Sequence, residues 1–471
     1  MSVSDILRPN VQPGLAVKPL INIGALLDIP TGTYVFGKYG ESILNGGLGI
    51  LTGIVGIGNN FKSTLAHYHV LSALSRIMSM APSSIGTYDT EMNIHESRLQ
   101  MLADIFFPDN NILLDGTWVV TDKTIYTGNK WYEEFKTYLQ DNKLNNKKEL
   151  TVELPFLERD GKTLMTTIIP TFGEIDSLTE FSTDDIDKMQ KENEIGDSGA
   201  NTMHMRLGAA KARMLMEMPT RINQAVHYLV VTAQLGKDVN IASGPFAPPP
   251  NKRLTYLQNN DAIKGVGNKF FFALSNLWHA KNAAPLINQA NKGEEYPENR
   301  DDPRIDSTDL NKVTIRQLRS KSGRTGVVLE LIVSQTKGVL PTLSEFHYIK
   351  NMDRFGIVGN NITYRLDIYP EVVLSRPTVR EKIDTDPLLR RAINITSELC
   401  QIIQFMTDVD KSLLCTPKEL YDDLKEKGYD WNVLLQTREW WTINNDKHPI
   451  PYLSTMDLLR MRKGLYKPYW M

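Results

Sequence analysis

The stretch from Leu48 to Met80 limits what this chain can fold into more than any other. A β-like apolar run, Leu48 to Val55, passes through Gly56-Ile-Gly-Asn-Asn-Phe-Lys-Ser-Thr64 directly into a helix pattern, Lys62 to Met80. The unit recurs from about Ile21 to Val339. Further strand patterns cover Ile85 to Tyr88, Trp118 to Val120, Thr171 to Ile175, Tyr228 to Ala233 and Val327 to Ser334, with helix patterns at Lys130 to Leu139 and Arg206 to Gln224. Short strands alternating with helices predict an α/β domain with a mainly parallel central sheet flanked by helices. Ligands then bind at the carboxyl ends of the strands.

Three segments interrupt the alternation. Glu149 to Ile169 reads as a hairpin turning at Arg159-Asp-Gly-Lys162. Ser182 to Met205 is polar, and Gly236 to Gly267 carries Pro248-Pro-Pro250 with several basic residues; long irregular loops in a compact domain are commonly functional. Asn288 to Lys312 reads as a solvated surface loop. At 471 residues the chain exceeds the roughly 250–300 at which one core stops growing, which predicts a second domain. After about Tyr348 the pattern becomes helical. Pro387 to Met406 is a long helix, Thr416-Pro-Lys-Glu419 is a capping box opening a helix that stops at Gly428, and Ser454 to about Lys463 is a last helix ending at Gly464. The organisation expected is a segment 1–20 available for subunit contact, a core 21–347, and a small mostly helical domain 348–471.

Bulk properties exclude some classes. No run approaches the roughly 18 apolar residues that span a bilayer, so no membrane partner is expected. The start lacks a basic region followed by an apolar one, and the two cysteines, Cys400 and Cys415, point to a reducing cytoplasmic setting. With a net charge of −2, binding to nucleic acid must come from local patches.

Gly56 to Thr64 has the residue types of a phosphate-binding loop in the context such a loop needs, after a strand and before a helix. Gly56 and Gly58 permit the turn, Asn59, Asn60 and Phe61 contribute backbone N–H groups, Lys62 supplies a cation, and Ser63 or Thr64 a hydroxyl for Mg²⁺. Phe61 stands where a glycine's backbone freedom is ordinarily used. After the next strand, Asp89 and Glu91 place carboxylates beside the loop. Glu91 is the candidate general base for water attacking a γ-phosphate, though an acid here also fits a helix cap. Asp176 ends a strand and is the candidate Mg²⁺ carboxylate, preferred to Glu174 two residues deeper. Gln234, just past another strand, is placed to sense the γ-phosphate.

These elements, in this order, resemble the RecA superfamily, and within it RecA and the UvsX recombinases of tailed phages. The likeness extends to Glu194-Ile-Gly-Asp-Ser198 with His204-Met205 and the helix after them, which resemble a first DNA-binding loop. Lys264 to Ala273 resembles the end of a second such loop, and Val313 to Gly338 a strand pair that reaches a neighbouring subunit's ATP. The UvsX family is similar in carrying phenylalanine before the loop lysine. The resemblance implies an ATP- and Mg²⁺-dependent, DNA-stimulated ATPase that polymerises on single-stranded DNA and pairs it with homologous duplex, with loader and single-strand-binding partners, in a bacterial cytoplasm, that of the host if the source is viral. It implies that Glu91 is the catalytic glutamate, Asp176 the Walker B aspartate, Gln234 the coupling residue and Arg98 a residue stacked on adenine, while Arg319 and Lys321 act across a subunit interface. DNA would run along two loops, about 182–205 and 236–267, contacted by His204, Arg206, Lys211 and Arg213 from the first and by Lys237, Phe246, Lys252, Arg253, Tyr256 and Lys264 from the second. A DnaB-like ring-forming motor and a noncatalytic DNA-binding paralogue are the alternatives. The few residues before the core leave no room for the amino-terminal domain such helicases often carry.

Overall fold

The computed structural model describes residues 18–182, 199–237, 254–257, 261–264, 266, 269–289, 292–299 and 308–471. A two-stranded hairpin, β1 (Thr33–Phe36) and β2 (Ser42–Asn45), precedes the central sheet. Six parallel strands form the middle of that sheet: β3 (Leu51–Gly56), β4 (Ile85–Asp89), β5 (Trp118–Asp122), β8 (Thr171–Asp176), β9 (His227–Lys237) and β11 (Asn276–Pro285), in the spatial order β11-β3-β9-β8-β4-β5. Beyond β11 the sheet continues antiparallel through β12 (Leu310–Ser320), β13 (Val328–Ser334) and β14 (Gly338–Val339), and β10 (Asp261–Ile263) pairs antiparallel with β9.

The sequence explains this placement. Every residue of β3 and β8 is buried, as expected for strands with neighbours on both sides and helices over both faces. Helix α1 (Lys62–Met78) lies against β3, β8 and β9, burying Leu65, Val70, Leu74 and Ile77. Each such side chain contributes about 1.5–3 kcal/mol relative to exposure. Beside it stands α2 (Glu96–Phe106), while α3 (Gly128–Thr137), which runs into a π-helical stretch Tyr138–Leu144, packs on the other face through Trp131 stacked on Tyr88, and α4 (Gly199–Ala225) contacts that stretch and β9. The expected hairpin is β6 (Thr151–Leu157) with β7 (Leu164–Ile168); its turn is closed by Asp160, which accepts from the Lys162 and Thr163 amides at 2.9 Å each.

The expected boundary at 347/348 falls inside a helix, α5 (Pro341–Asn351), so the two parts share an element. The carboxy-terminal part holds α6 (Pro387–Phe405), α7 (Pro417–Glu426) and α8 (Thr455–Arg462), but also a three-stranded antiparallel sheet, β15 (Ile357–Gly359), β16 (Tyr364–Leu366) and β17 (Tyr369–Leu374), that the helical pattern did not announce. It is joined to the core. Asp457 accepts from the Ser42 amide at 2.8 Å, Thr442 Oγ1 donates to the Arg76 carbonyl at 2.6 Å, and Trp441 packs edge-on to Phe156 at 4.8 Å between centroids. One continuous apolar core runs through both parts. The segment read as a solvated loop, Asn288 to Lys312, is corrected in its described residues: Tyr296 is fully buried and Lys312 already belongs to β12. Tyr296 packs on Phe346 of α5, which holds that part of the segment down.

Candidate nucleotide site

The parallel register sets the site. Gly56 lies opposite Gln234 on neighbouring strands, and Asp89 opposite Asp176, so the carboxyl ends of β3, β9, β8 and β4 form one edge. The loop after β3 is fastened to β11. Asn60 is buried and its Nδ2 donates to the Ala280 carbonyl at 2.9 Å, while a side chain on Gly56 would meet that same oxygen at 2.7 Å. Glycine is therefore required at 56 by contact. Phe61 precedes α1 with φ 58° and ψ 25°, and Asn59 and Met92 are left-handed too, at φ 61° and 55°. Non-glycine residues in this region each cost of order 1–3 kcal/mol and cluster at functional sites. Position 61 thus keeps the backbone a glycine would favour, and the phenylalanine ring rests against the core.

Lys62 Nζ donates to the Ile57 carbonyl at 2.7 Å, inside the loop. Burial lowers its pKa from the ordinary lysine value, opposed by the charges of Asp176 and Glu91, so the two candidate carboxylates are the acidic groups that this ammonium senses. Glu91 is held from two strands: its Oε1 accepts from Ser177 Oγ at 2.9 Å and from Gln234 Nε2 at 3.3 Å. Two hydrogen bonds on one oxygen fix the carboxylate's direction.

Asp89 does different work from Glu91. Its Oδ1 accepts from the amides of Glu91 and Met92, both at 2.9 Å, and its Oδ2 from those of Asn93 and Ile94, both at 3.0 Å. One buried carboxylate organises the turn that carries the other. Asp176 Oδ1 accepts from Thr232 Oγ1, leaving Oδ2 for a ligand. Glu174 is fully enclosed and committed to His67 Nδ1 at 2.8 Å and Thr87 Oγ1 at 3.3 Å, as its deeper register predicted. Burial raises the Glu174 pKa. At His67 burial works against charge, but the Glu174 carboxylate overcomes it and the pKa is also raised, so the pair retains one shared proton above the usual histidine range.

Ser63 and Thr64 open α1, half-buried. Arg98 on α2 donates to the Thr336 carbonyl, and a side chain on nearby Gly338 would lie 3.6 Å from Thr64 Cγ2. Arg98 therefore borders the start of α1. Arg319 and Lys321 lie elsewhere. Arg319 pairs with Leu277 and Ser320 with Asn276 at the entry of β11, whereas Gly56 pairs with Ala280. A strand advances about 3.3 Å per residue, so both cations stand at the opposite edge of the sheet from their own chain's loop. Arg319 lies over the exposed Phe272 ring at 5.8 Å.

Lys211 is a correction. Expected to meet DNA, it is fully buried on α4, and its Nζ donates to the carbonyls of Leu178 at 2.9 Å and Thr179 at 2.8 Å; burial lowers its pKa to about 8. It anchors the segment that follows Asp176 and Ser177. Thr179 Oγ1 also receives the Gln234 amide at 2.8 Å and reaches the Lys264 carbonyl at 3.3 Å, so one threonine joins α4, β9 and the end of the second basic segment. Arg213 is exposed and pairs with Glu217 at 3.3 Å; Lys237 pairs with Asp261. Tyr256 and Lys264 are exposed. The side chains of His204 and Arg206, and all of Phe246, Lys252, Arg253 and Glu194 to Ser198, lie outside the described residues.

Ser177, Thr179 and Thr232 were not singled out as functional by sequence, and Asp89 was read only as a second carboxylate beside the loop. Ser177 had a signal, since it follows Asp176 at the strand end. Among the described residues no group of three or more His, Cys, Asp or Glu could hold a metal alone. Mg²⁺ arriving with phosphates would need only one or two protein oxygens, and Ser63 and the Asp176 Oδ2 are the groups that would hold it. Comparison with protein-family models and with curated protein sequences finds no match to either.

Proposed function

We propose that this chain is a DNA-dependent ATPase of the RecA type that forms a filament on single-stranded DNA and catalyses homologous pairing and strand exchange. The observation that carries the reading is the Glu91 carboxylate, held by Ser177 and Gln234 beside a loop whose Lys62 feels both Glu91 and Asp176. In this reading Gly56 to Thr64 cradles the phosphates of ATP, Lys62 leaves the Ile57 carbonyl for them, and Glu91 orients and deprotonates the attacking water. Mg²⁺ bound with ATP supplies charge neutralisation at the phosphates. Gln234 shares a hydrogen bond with Glu91 and lies on the strand leading into the second DNA loop, so the state of the site reaches that loop through one side chain.

Filament formation is supported by Arg319 and Lys321, which stand too far round the sheet to serve their own loop; in this reading they serve a neighbour's. Glu91→Gln removes the base while keeping both hydrogen-bond partners. General-base catalysis contributes about 10²–10⁴-fold, so DNA-stimulated phosphate release should fall by that factor with ATP binding retained. Wild-type-like turnover in Glu91→Gln contradicts the assignment. Electron microscopy with single-stranded DNA and a nonhydrolysable ATP analogue should show open helical filaments; closed rings would favour the helicase-like motor instead.

A further inference from the structure

A cavity of about 190 Å³ lies where the end of α5 meets β16 and the turn that follows β17, and its chemistry is cationic. Lys350, Arg354 and Arg376 line it against one acid, Glu295. Lys350 Nζ is 2.9 Å from Glu295, which leaves two guanidinium charges without a carboxylate in the lining. Both guanidinium groups are held in place by uncharged acceptors: Arg354 by Asn361 Oδ1 at 2.9 Å and the Asn360 carbonyl at 3.1 Å, Arg376 by the Glu294 carbonyl at 2.6 Å. Arg354 itself sits in a left-handed turn, φ 57°, directly after Asp353 at 49°. Its wall also holds a buried donor without a partner. Tyr364 is only 4% exposed, it lines the cavity, and its Oη has no hydrogen-bond partner.

Burial raises the Tyr364 pKa far above neutrality, so this hydroxyl is a proton donor at all physiological pH values. A buried donor left unpaired costs about 1–3 kcal/mol, and buried polar groups are ordinarily satisfied by protein, water or ligand. Two fixed guanidinium groups, with the Glu295-paired Lys350 beside them and the unpaired Tyr364 hydroxyl buried in the wall, make an oxyanion the ligand that this lining favours. The volume lies below the roughly 300 Å³ at which pockets for drug-sized ligands begin, so a single tetrahedral group fits better than a whole nucleotide. Arginine forks match phosphate oxygens in geometry as well as charge.

The geometry points to a phosphate-binding site formed by Arg354, Arg376, Lys350 and Tyr364, separate from the nucleotide site and independent of its proposed role. The shared chemistry is a phosphate group, carried either as free phosphate or on a nucleic-acid backbone. Titration calorimetry of the full chain with inorganic phosphate, against chloride at equal ionic strength, tests it. Because the loop at Gly56 to Thr64 also takes phosphate in the functional reading, the Lys62→Ala variant serves as the background. In that background one phosphate-binding event should persist, and adding Arg354→Gln or Tyr364→Phe should each weaken it by about tenfold or more, the worth of one hydrogen bond to a charged group. Tyr364→Phe keeps the ring and its packing, so loss there does not reflect misfolding. Competition by a short DNA duplex identifies a nucleic-acid backbone as the source, and phosphate binding without competition identifies the free ion. No phosphate heat in Lys62→Ala, or the same affinity after Arg354→Gln and Tyr364→Phe, overturns the site.

Discussion

Replacing Asp89 by asparagine tests the architecture of the site without touching its proposed chemistry. Each Asp89 oxygen accepts from two backbone amides between Glu91 and Ile94. Asparagine keeps the shape and one acceptor oxygen, but its NH₂ must face two N–H donors and can accept from neither. Two hydrogen bonds to a charged group are lost, at about 1.5–3 kcal/mol each, so the expected destabilisation is roughly 3–6 kcal/mol. Unfolding entropy of about 2.1 cal/mol/K per residue, applied to 471 residues, gives about 1 kcal/mol per degree. Asp89→Asn should therefore melt roughly 3–6 °C lower by calorimetry. Turnover should fall with it, because the turn carrying Glu91 loses its organiser, while Lys62 and the loop remain to bind nucleotide. A melting point within 1 °C of wild type, with unchanged turnover, would refute the role given to this carboxylate.

At Phe61 the left-handed backbone predicts an inversion: Phe61→Gly should be at least as stable as Phe61→Ala, by about 0.5–1 kcal/mol, because alanine keeps the steric penalty and glycine does not; denaturant melts in which alanine is the more stable argue against that backbone. Stability should also depend on pH through carboxyls at the joint between the two parts of the chain. Burial raises Glu398 and Asp457 to about 7, against the nearby charges of Arg391 and Arg460. A group with a raised folded pKa gives its full contribution below its unfolded value and loses it as pH rises through the folded one, so these two acids lower stability up to and just beyond pH 7. Burial lowers His69, His279 and His347 to about 4, and their contribution is complete above about pH 6.5 and lost as pH falls toward 4. Above about pH 6.5 these three histidines no longer change, and the melting temperature should fall from pH 6.5 to 8, with the two acids and the raised His67 acting in the same direction; Glu398→Gln with Asp457→Asn should reduce that fall, and an unaltered slope would remove these acids as a cause.

What the sequence made legible was local, and what it hid depended on distant partners. The six strand patterns read from apolar runs are found within a few residues because apolar runs of strand length leave few other options, whereas β11 in the middle of the sheet was not among them. The helix ends near residues 416 to 428 and 454 to 464 are found because the capping groups are neighbours in the chain: Thr416 and Glu419 cap each other, and Gly428 and Gly464 have the left-handed φ of 85° and 71° that ends a helix. The sheet β15 to β17 escaped because its strands are short and only the three residues of β16 alternate between buried and exposed. In the site, Glu91 was legible as a carboxylate after a strand. Its partners were not, since Ser177 is 86 and Gln234 is 143 residues away and their approach follows from the strand order alone.

Lys211 shows the same limit most sharply. In Ala209-Ala-Lys-Ala-Arg213 nothing local separates the lysine that is buried from the arginine that is exposed. The difference arises at Leu178 and Thr179, whose carbonyls point at α4 just after the last strand residue of β8 and have to be met by a donor. Burying an ammonium is costly unless it is hydrogen-bonded, and here two backbone acceptors meet that cost. The result ties α4 to the strand end that holds Ser177 against Glu91. A residue first read as touching DNA instead connects the helix after the segment proposed as a first DNA loop to the carboxylate proposed to activate water, and the connection runs through protein contacts alone.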